Sequence, residues 1–204
     1  MSRYTGPLVR KARRYGVMLF SNGNSKQNAF KKRKYPPGQH GRSSFRSLSE
    51  FGKQLQEKQK ARFMFGITEK QFRKYYDKAS TMEGVKGEQL MQLLERRLDN
   101  VVFRSGLATT RRQARQLVTH GHFELNGRRV DIPSIQVAIG DKIVIRTKSQ
   151  KSPLFTEVKK AKDSSVKWVN ADNGKLAIEV LALPDKDDTE QIINSQMIVE
   201  FYSK

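Results

Sequence analysis

Residues 110–130 read TRRQARQLVTHGHFELNGRRV, and this stretch sets the fold class. Thr110 with Gln113 three residues on forms a capping box that opens a helix; Ala114, Leu117 and Val118 line one of its sides, and Gly121 stops it. Past that glycine the period changes. His122 to Leu125 and Arg128 to Val130 flank Asn126-Gly127, the strongest short signal for a hairpin. A helix running directly into a hairpin makes the chain α+β, with a small α/β module that carries a short β-rich part.

The same helix carries a charge problem. Arg111 and Arg115, four apart, stand together with Arg112 beside them, and no acid falls between Asp99 and Glu124 to pair with them. Three guanidiniums on two turns repel one another unless an external anion sits among them. Phosphate suits that position, since arginine binds its oxygens in a fork and the helix N-terminus adds partial positive charge.

Working toward the N-terminus, the stretch from 47 to about 105 reads as three amphipathic helices. The first is opened by Ser47-Leu48-Ser49-Glu50, with Leu48, Phe51 and Leu55 on its apolar stripe, and runs to about Met64. The second starts at Thr68, with Gln71 in the reciprocal capping position, and its stripe of Phe72, Tyr75, Tyr76 and Ala79 is taken as core rather than as a base-stacking platform. The third, after Gly84 and Gly87, carries Leu90, Leu93, Leu94, Leu98 and Val101. Toward the C-terminus, Val137 to Ile145 predicts a strand pair around Gly140-Asp141, and Val166–Val169 and Leu176–Leu181 predict further strands. A Lys/Ser-rich stretch from Lys148 to Ser165 reads as a loop or linker, and Met197–Tyr202 closes the chain with an apolar stretch.

Charge distribution narrows the function. The 204 residues carry a formal charge of +20, yet residues 1–49 contain twelve Lys/Arg and no acid, whereas residues 171–204 are net negative. Such asymmetry points to a polyanion, either nucleic acid or an anionic membrane surface. A membrane-surface helix needs a continuous apolar side, but Gly6, Pro7, Gly16, Gly23, Pro36, Pro37, Gly38 and Gly41 interrupt the basic arm. An extended arm following an irregular nucleic-acid groove fits better, with one short helix at Leu8–Tyr15, a polar loop Ser21–Ser25 and the cluster Lys31-Lys32-Arg33-Lys34-Tyr35. A solvated tail that orders only on its partner is the alternative. The absence of cysteine removes disulfides, thiolate metal sites and cysteine nucleophiles and fits an intracellular setting. Apolar runs reach only four residues, too short to span a bilayer or to form a signal peptide.

The run Arg97–Thr109, followed by Arg112–Val118, His120-Gly121-His122, Asn126-Gly127 and Gly140-Asp141, resembles the RNA-binding module named after ribosomal protein S-four. The flanks are more specific. Arg3–Pro7, Tyr35–Gly41, Glu57–Lys60, Leu93–Asp99 and the ending Ile198–Lys204 are similar to the bacterial or organellar S-four family itself, over nearly the whole chain. The resemblance implies an arm over 1–46, a helical domain over 47–95 completed by 182–204, and the inserted module with its β-rich extension over 96–181. It also implies binding to 16S-type ribosomal RNA, nucleation of 30S assembly, a neighbouring protein S-five, and influence on decoding accuracy near the mRNA entrance. Many members hold zinc with four cysteines in the arm. This chain has none, so the arm depends on RNA contacts and local packing, with no metal, cofactor or membrane partner expected and a cytoplasmic or organellar ribosome as its location.

Candidate RNA contacts are therefore Arg111, Arg112 and Arg115, with Arg97, Arg104, His120, His122 and the hairpin's Arg128 nearby. In the arm they are Arg3, Lys11, Arg13, Arg14, Lys31, Lys32, Arg33, Lys34, Arg42 and Arg46, and on the exposed side of the first long helix Lys53, Lys60 and Arg62. Tyr4, Tyr35 and His40 are candidates for stacking on unpaired bases, although Tyr35 beside Pro36 is equally suited to packing. An ordinary solvated basic face is the competing explanation, as is a weak metal reading of His120, His122 and Glu124. No catalytic constellation stands out, and Asp185, Asp187, Asp188 and Glu190 read as solvated surface. Two rivals remain: an RNA-modifying enzyme, for which too little apolar chain is left over, and a factor that visits ribosomes transiently.

Overall fold

The computed structural model describes residues 4–19, 24–43, 47–155 and 166–203. In chain order the helices are α1 (Leu8–Tyr15), α2 (Asn24–Lys32), α3 (Glu50–Met64), α4 (Glu69–Ser80), α5 (Lys86–Glu95), α6 (Leu98–Arg104), α7 (Arg111–Thr119), α8 (Thr147–Gln150) and α9 (Ser195–Tyr202). The strands are β1 (Phe123–Leu125), β2 (Arg128–Val130), β3 (Lys142–Ile145), β4 (Val169–Asp172) and β5 (Ala177–Val180). Helices and one small antiparallel sheet make this an α+β protein. The chain divides into two compact units, residues 1–90 with 190–204, and residues 91–189.

The first unit is helical. Ser49, two residues later than expected, caps α3 by accepting from the Gly52 amide, so Leu48 stays outside the helix. The buried stripe of α3 is not the predicted one. Leu48 and Phe51 are more than half exposed, while Gln54, Lys58, Ala61 and Met64 face inward. Polar residues tolerate that burial because partners reach them: Gln54 donates to Glu200 at 3.0 Å and Lys58 to Glu69 at 2.8 Å. Helix α9 packs on α3, and Phe201 meets Phe51 with ring centroids 5.6 Å apart. Thr68 caps α4 as expected by accepting from the Gln71 amide, but the Gln71 side-chain oxygen makes no return bond. Phe72, Tyr76 and Ala79 are core, whereas Tyr75 is only half-buried.

The arm is more structured than the expected extended chain. Helix α1 has the predicted bounds, and Leu8, Ala12 and Leu19 are buried, with Tyr4 and Tyr15 against Phe63 at 5.2 and 6.1 Å. Asn24 and Ser25, read as loop, begin the unpredicted helix α2. Residues 21–23 of that loop, residues 156–165 of the linker, Arg3 and Arg46 lie outside the described residues.

In the second unit the single helix expected around Leu90–Val101 breaks in two. At Arg97 the backbone turns extended to bridge Gln136, and the Arg96 carbonyl accepts from Val137 N at 3.0 Å, after which α6 starts. Thr110 caps α7 by accepting from the Gln113 amide, while the Gln113 side chain accepts from Thr109. The hairpin forms as read, Asn126 and Gly127 both holding positive φ of 50° and 78°. Only half of the predicted Val137–Ile145 strand pair exists, because Asp141 ties back the Ala138 amide and makes 138–141 a turn that leads into β3. Val166 contributes only a bridge to Val169, where β4 begins. The strand order is β2-β1-β3-β5-β4, and the pairs Phe123–Ile145 and Ile143–Ile178 place apolar side chains on one face. That face shares a core with Leu98, Val101 and Val102 of α6, Ala114, Leu117 and Val118 of α7, and Trp168.

Candidate nucleic-acid interface

Each unit assembles a cationic surface from short-range geometry. In the second unit the site grows from two buried acids. Glu95, fully buried at the end of α5, receives a two-bonded fork from Arg104, with Nε at 2.9 Å and a terminal nitrogen at 2.8 Å. Asn100 donates to both the Glu95 backbone carbonyl and its carboxylate, and its own carbonyl oxygen accepts from Arg111 Nε at 2.8 Å. Arg111 lies 4.0 Å from Glu95 and 4.4 Å over the Phe103 ring. The second acid, Asp99, holds Arg97 at 3.0 and 2.7 Å and lies 4.0 Å from Arg115.

These contacts correct the expectation that the α7 arginines have no acid to pair with. The acids come from upstream, Glu95 and Asp99, rather than from the interval between Asp99 and Glu124. Arg97 is 1% exposed and Arg115 9%, so both belong to the interior, whereas Arg112, Arg128 and His120 are exposed. His122 is partly covered, its Nδ1 2.9 Å from Ser149 Oγ and its ring edge-on to Phe155. Burial, with the nearby charges of His120 and Arg146, lowers its pKa below the usual histidine value. Glu124 faces Arg146 at 3.6 Å. Among the described residues no group of three or more acidic, histidine or cysteine side chains is placed to hold a metal, and no helix is long and apolar enough to cross a membrane.

In the first unit Lys31, Lys32, Arg33, Lys34, His40, Arg14 and Arg42 are exposed. Arg13 donates from Nε to the Tyr35 carbonyl at 3.0 Å and reaches the Pro36 carbonyl at 3.4 Å, which ties α1 to the turn at 35–41. The guanidiniums of Arg13 and Arg42 lie 4.9 and 5.0 Å from the Tyr35 ring centre. A hydrogen bond with Arg42 holds the Tyr35 hydroxyl below the usual phenol range. Gly41 is buried so close to the Pro36 carbonyl that a Cβ there would collide with it. Tyr4, a candidate for stacking, instead packs edge-on to Phe63. Lys11 sits over both rings, and burial together with Arg14, Arg62 and Arg10 lowers its pKa. Of the α3 cations, Lys53 is exposed beside Glu50, but Lys60 is largely covered with Glu57 and Arg62 lies over Phe63.

Residues 3–95 match the Ribosomal protein S4/S9 N-terminal domain, and residues 96–143 match the S4 domain. Relatives named small ribosomal subunit protein uS4 include one from Persephonella marina (strain DSM 14350 / EX-H1), 52% identical over 208 residues, covering 100% of both chains. Others come from Desulfitobacterium hafniense (strain Y51), 49% identical over 208 residues with 100% of both chains covered, and from Lactococcus lactis subsp. lactis (strain IL1403), 50% identical over 205 residues with 100% of this chain and 99% of the relative covered. The chain belongs to the uS4 family. It is thereby a structural ribosomal protein and not an enzyme.

Within this uS4-family chain, sequence reasoning missed the groups that organise the cations. Glu95 and Asn100 carry the signal: both are polar residues set in the stretch from Leu90 to Val101, whose apolar stripe faces a core. Arg129 is a further cation beside the hairpin, and its guanidinium packs so closely on Gly121 that a Cβ there would come within 2.8 Å.

Proposed function

We propose that the chain binds 16S-type ribosomal RNA directly, nucleates assembly of the 30S subunit, and contributes to decoding accuracy and the mRNA entrance beside protein S-five. The observation that carries RNA binding is the arm: twelve Lys/Arg and no acid through residue 49, with Lys31 to Lys34 exposed in one run. Two layers of contact are proposed. Arg14, Lys31, Lys32, Arg33, Lys34, His40, Arg42 and Lys53 in the first unit, and Arg104, Arg111, Arg112, His120 and Arg128 in the second, meet phosphate. Arg13 and Tyr35 act mainly by holding the arm's turn and Arg42 in place, while Lys60, Arg62, Arg97, Arg115 and His122 are the more covered members of the proposed contact set. The helical segment 47–95 completed by 182–204, and the module over 96–181, are the proposed functional domains, working on a cytoplasmic or organellar ribosome.

The test is binding of the purified full-length chain to a 16S-type 5′-domain transcript against an unrelated RNA of equal length, with chemical footprinting of the complex. Tighter binding to the 5′ domain with a defined footprint is expected. Equal binding to both RNAs, or loss of the protein from small subunits during a high-salt wash, would overturn it.

A further inference from the structure

We infer that Glu95 and Asn100 are positioning residues for RNA binding, fixing the directions in which Arg104 and Arg111 present their guanidinium groups. The inference rests on the RNA-binding function proposed above and assigns it a buried supporting layer.

Glu95 is a fully buried carboxylate, a group that is costly to bury unless it is paired and hydrogen-bonded. Its oxygens meet Arg104 through two bonds and Asn100 through a third, with Arg111 at 4.0 Å. Asn100, 2% exposed, relays the order onward, donating to Glu95 on one side and accepting from Arg111 Nε on the other. The Phe103 ring supports Arg111 from below. One acid thus gathers the end of α5, the length of α6 and the start of α7.

Stability alone gives no reason for this arrangement, since well-packed apolar side chains commonly serve a core as well as a buried ion cluster. The cluster does something an apolar core cannot. It fixes two guanidiniums at defined angles while leaving the Arg104 and Arg111 side chains 19% and 14% exposed at the surface. An exposed arginine gives up rotamer freedom when it engages a phosphate; one pinned at Nε has given it up on folding, so binding costs less and one RNA geometry is preferred over others.

Charge and position predict opposite signs, which makes the idea testable. Glu95→Gln removes a negative charge beneath a cationic face. If Glu95 acts only through its charge, the variant binds every RNA more tightly. If it positions, 5′-domain binding weakens roughly tenfold while unrelated RNA is held as tightly or more so. Asn100→Ala, which leaves net charge unchanged, is expected to produce the same selective loss. Both variants of the full-length chain are compared with wild type by filter binding across salt concentrations, with thermal unfolding as the check on folding. Unchanged or uniformly tighter binding by a folded variant overturns the inference, whereas wild-type protein that fails to discriminate the two RNAs overturns the RNA-binding proposal itself. Should neither variant fold, NMR relaxation of the arginine Nε–H groups in the free wild-type chain decides. Arg104 and Arg111 are expected to be markedly more ordered than exposed Arg128, and equal mobility sinks the inference.

Discussion

Arg97 and Asp99, two positions apart, close a two-bonded ion pair whose side chains are 1% and 7% exposed. The pair sits where the chain turns from α5 into α6. Removing one member leaves the other buried and charged, which typically costs about 3–5 kcal/mol. Asp99→Ala is therefore expected to lower the unfolding free energy of the second unit, taken from its urea transition, by an amount of that order, followed through the fluorescence of Trp168, which is buried in the unit's core. A change below about 1 kcal/mol would mean that the pair is not buried in solution.

The α7 arginines divide by exposure, and so do their expected effects. Arg112→Ala removes an exposed cation and is expected to make the logarithm of RNA affinity less steep against the logarithm of salt by up to about 1, with little change in stability. Arg115→Ala, at a position 9% exposed and near Asp99, is expected to lower stability more than it changes the slope. Salt titration of binding and urea unfolding of both variants separate the two. An Arg115→Ala chain of full stability and reduced slope would return Arg115 to the RNA-facing layer.

What the sequence reveals depends on how local the cause is. Pro7 and Gly16 punctuate α1, Thr110 caps α7 and Asn126-Gly127 turns the hairpin, so these were readable from a few neighbouring residues. The broken helix at Arg97 was not, because the break is set by a bridge to Gln136, 39 positions on. The polar buried stripe of α3 was hidden for the same reason, since Glu200 lies 146 positions from Gln54. For the candidate site, residue type and net charge mark the cations, but their division into exposed and pinned groups is set by Glu95, which precedes α7 by sixteen positions and lies outside the acid-free interval around that helix.

Glu69 gives the first unit a pH dependence at both ends. Burial works to raise its pKa, but hydrogen bonds from Lys58 and Tyr202, with the charges of Lys58 and Arg62, leave it lowered. A lowered carboxylate contributes stability that is present above its unfolded pKa of about 4.3 and is lost as pH falls through the folded value. Tyr202 is the converse. Burial and the Glu69 hydrogen bond raise its pKa, so its contribution is full below about pH 10 and declines as pH rises further. Glu69→Gln is expected to flatten the acid limb, and Tyr202→Phe the alkaline limb, in hydrogen exchange of α3 and α4 amides measured across pH. A wild-type opening free energy that stays flat from about pH 3 to about pH 11, across both unfolded pKa values, would refute the coupling.

The arm is fastened to the first unit by more than charge. Leu8, Ala12 and Leu19 are buried, Tyr4 and Tyr15 meet Phe63, and Arg13 ties α1 to the 35–41 turn. An arm held only by RNA would bury none of these side chains. Leu8→Ala is therefore expected to cost about 2–4 kcal/mol in the free protein, near the lower end for a buried leucine because Leu8 keeps slight exposure. Deleting residues 2–46 is expected to lower the thermal midpoint of the first unit and to leave the Trp168 transition of the second unchanged, read by calorimetry alongside fluorescence. If both transitions stay at their wild-type temperatures after the deletion, the arm packs in place only on its RNA.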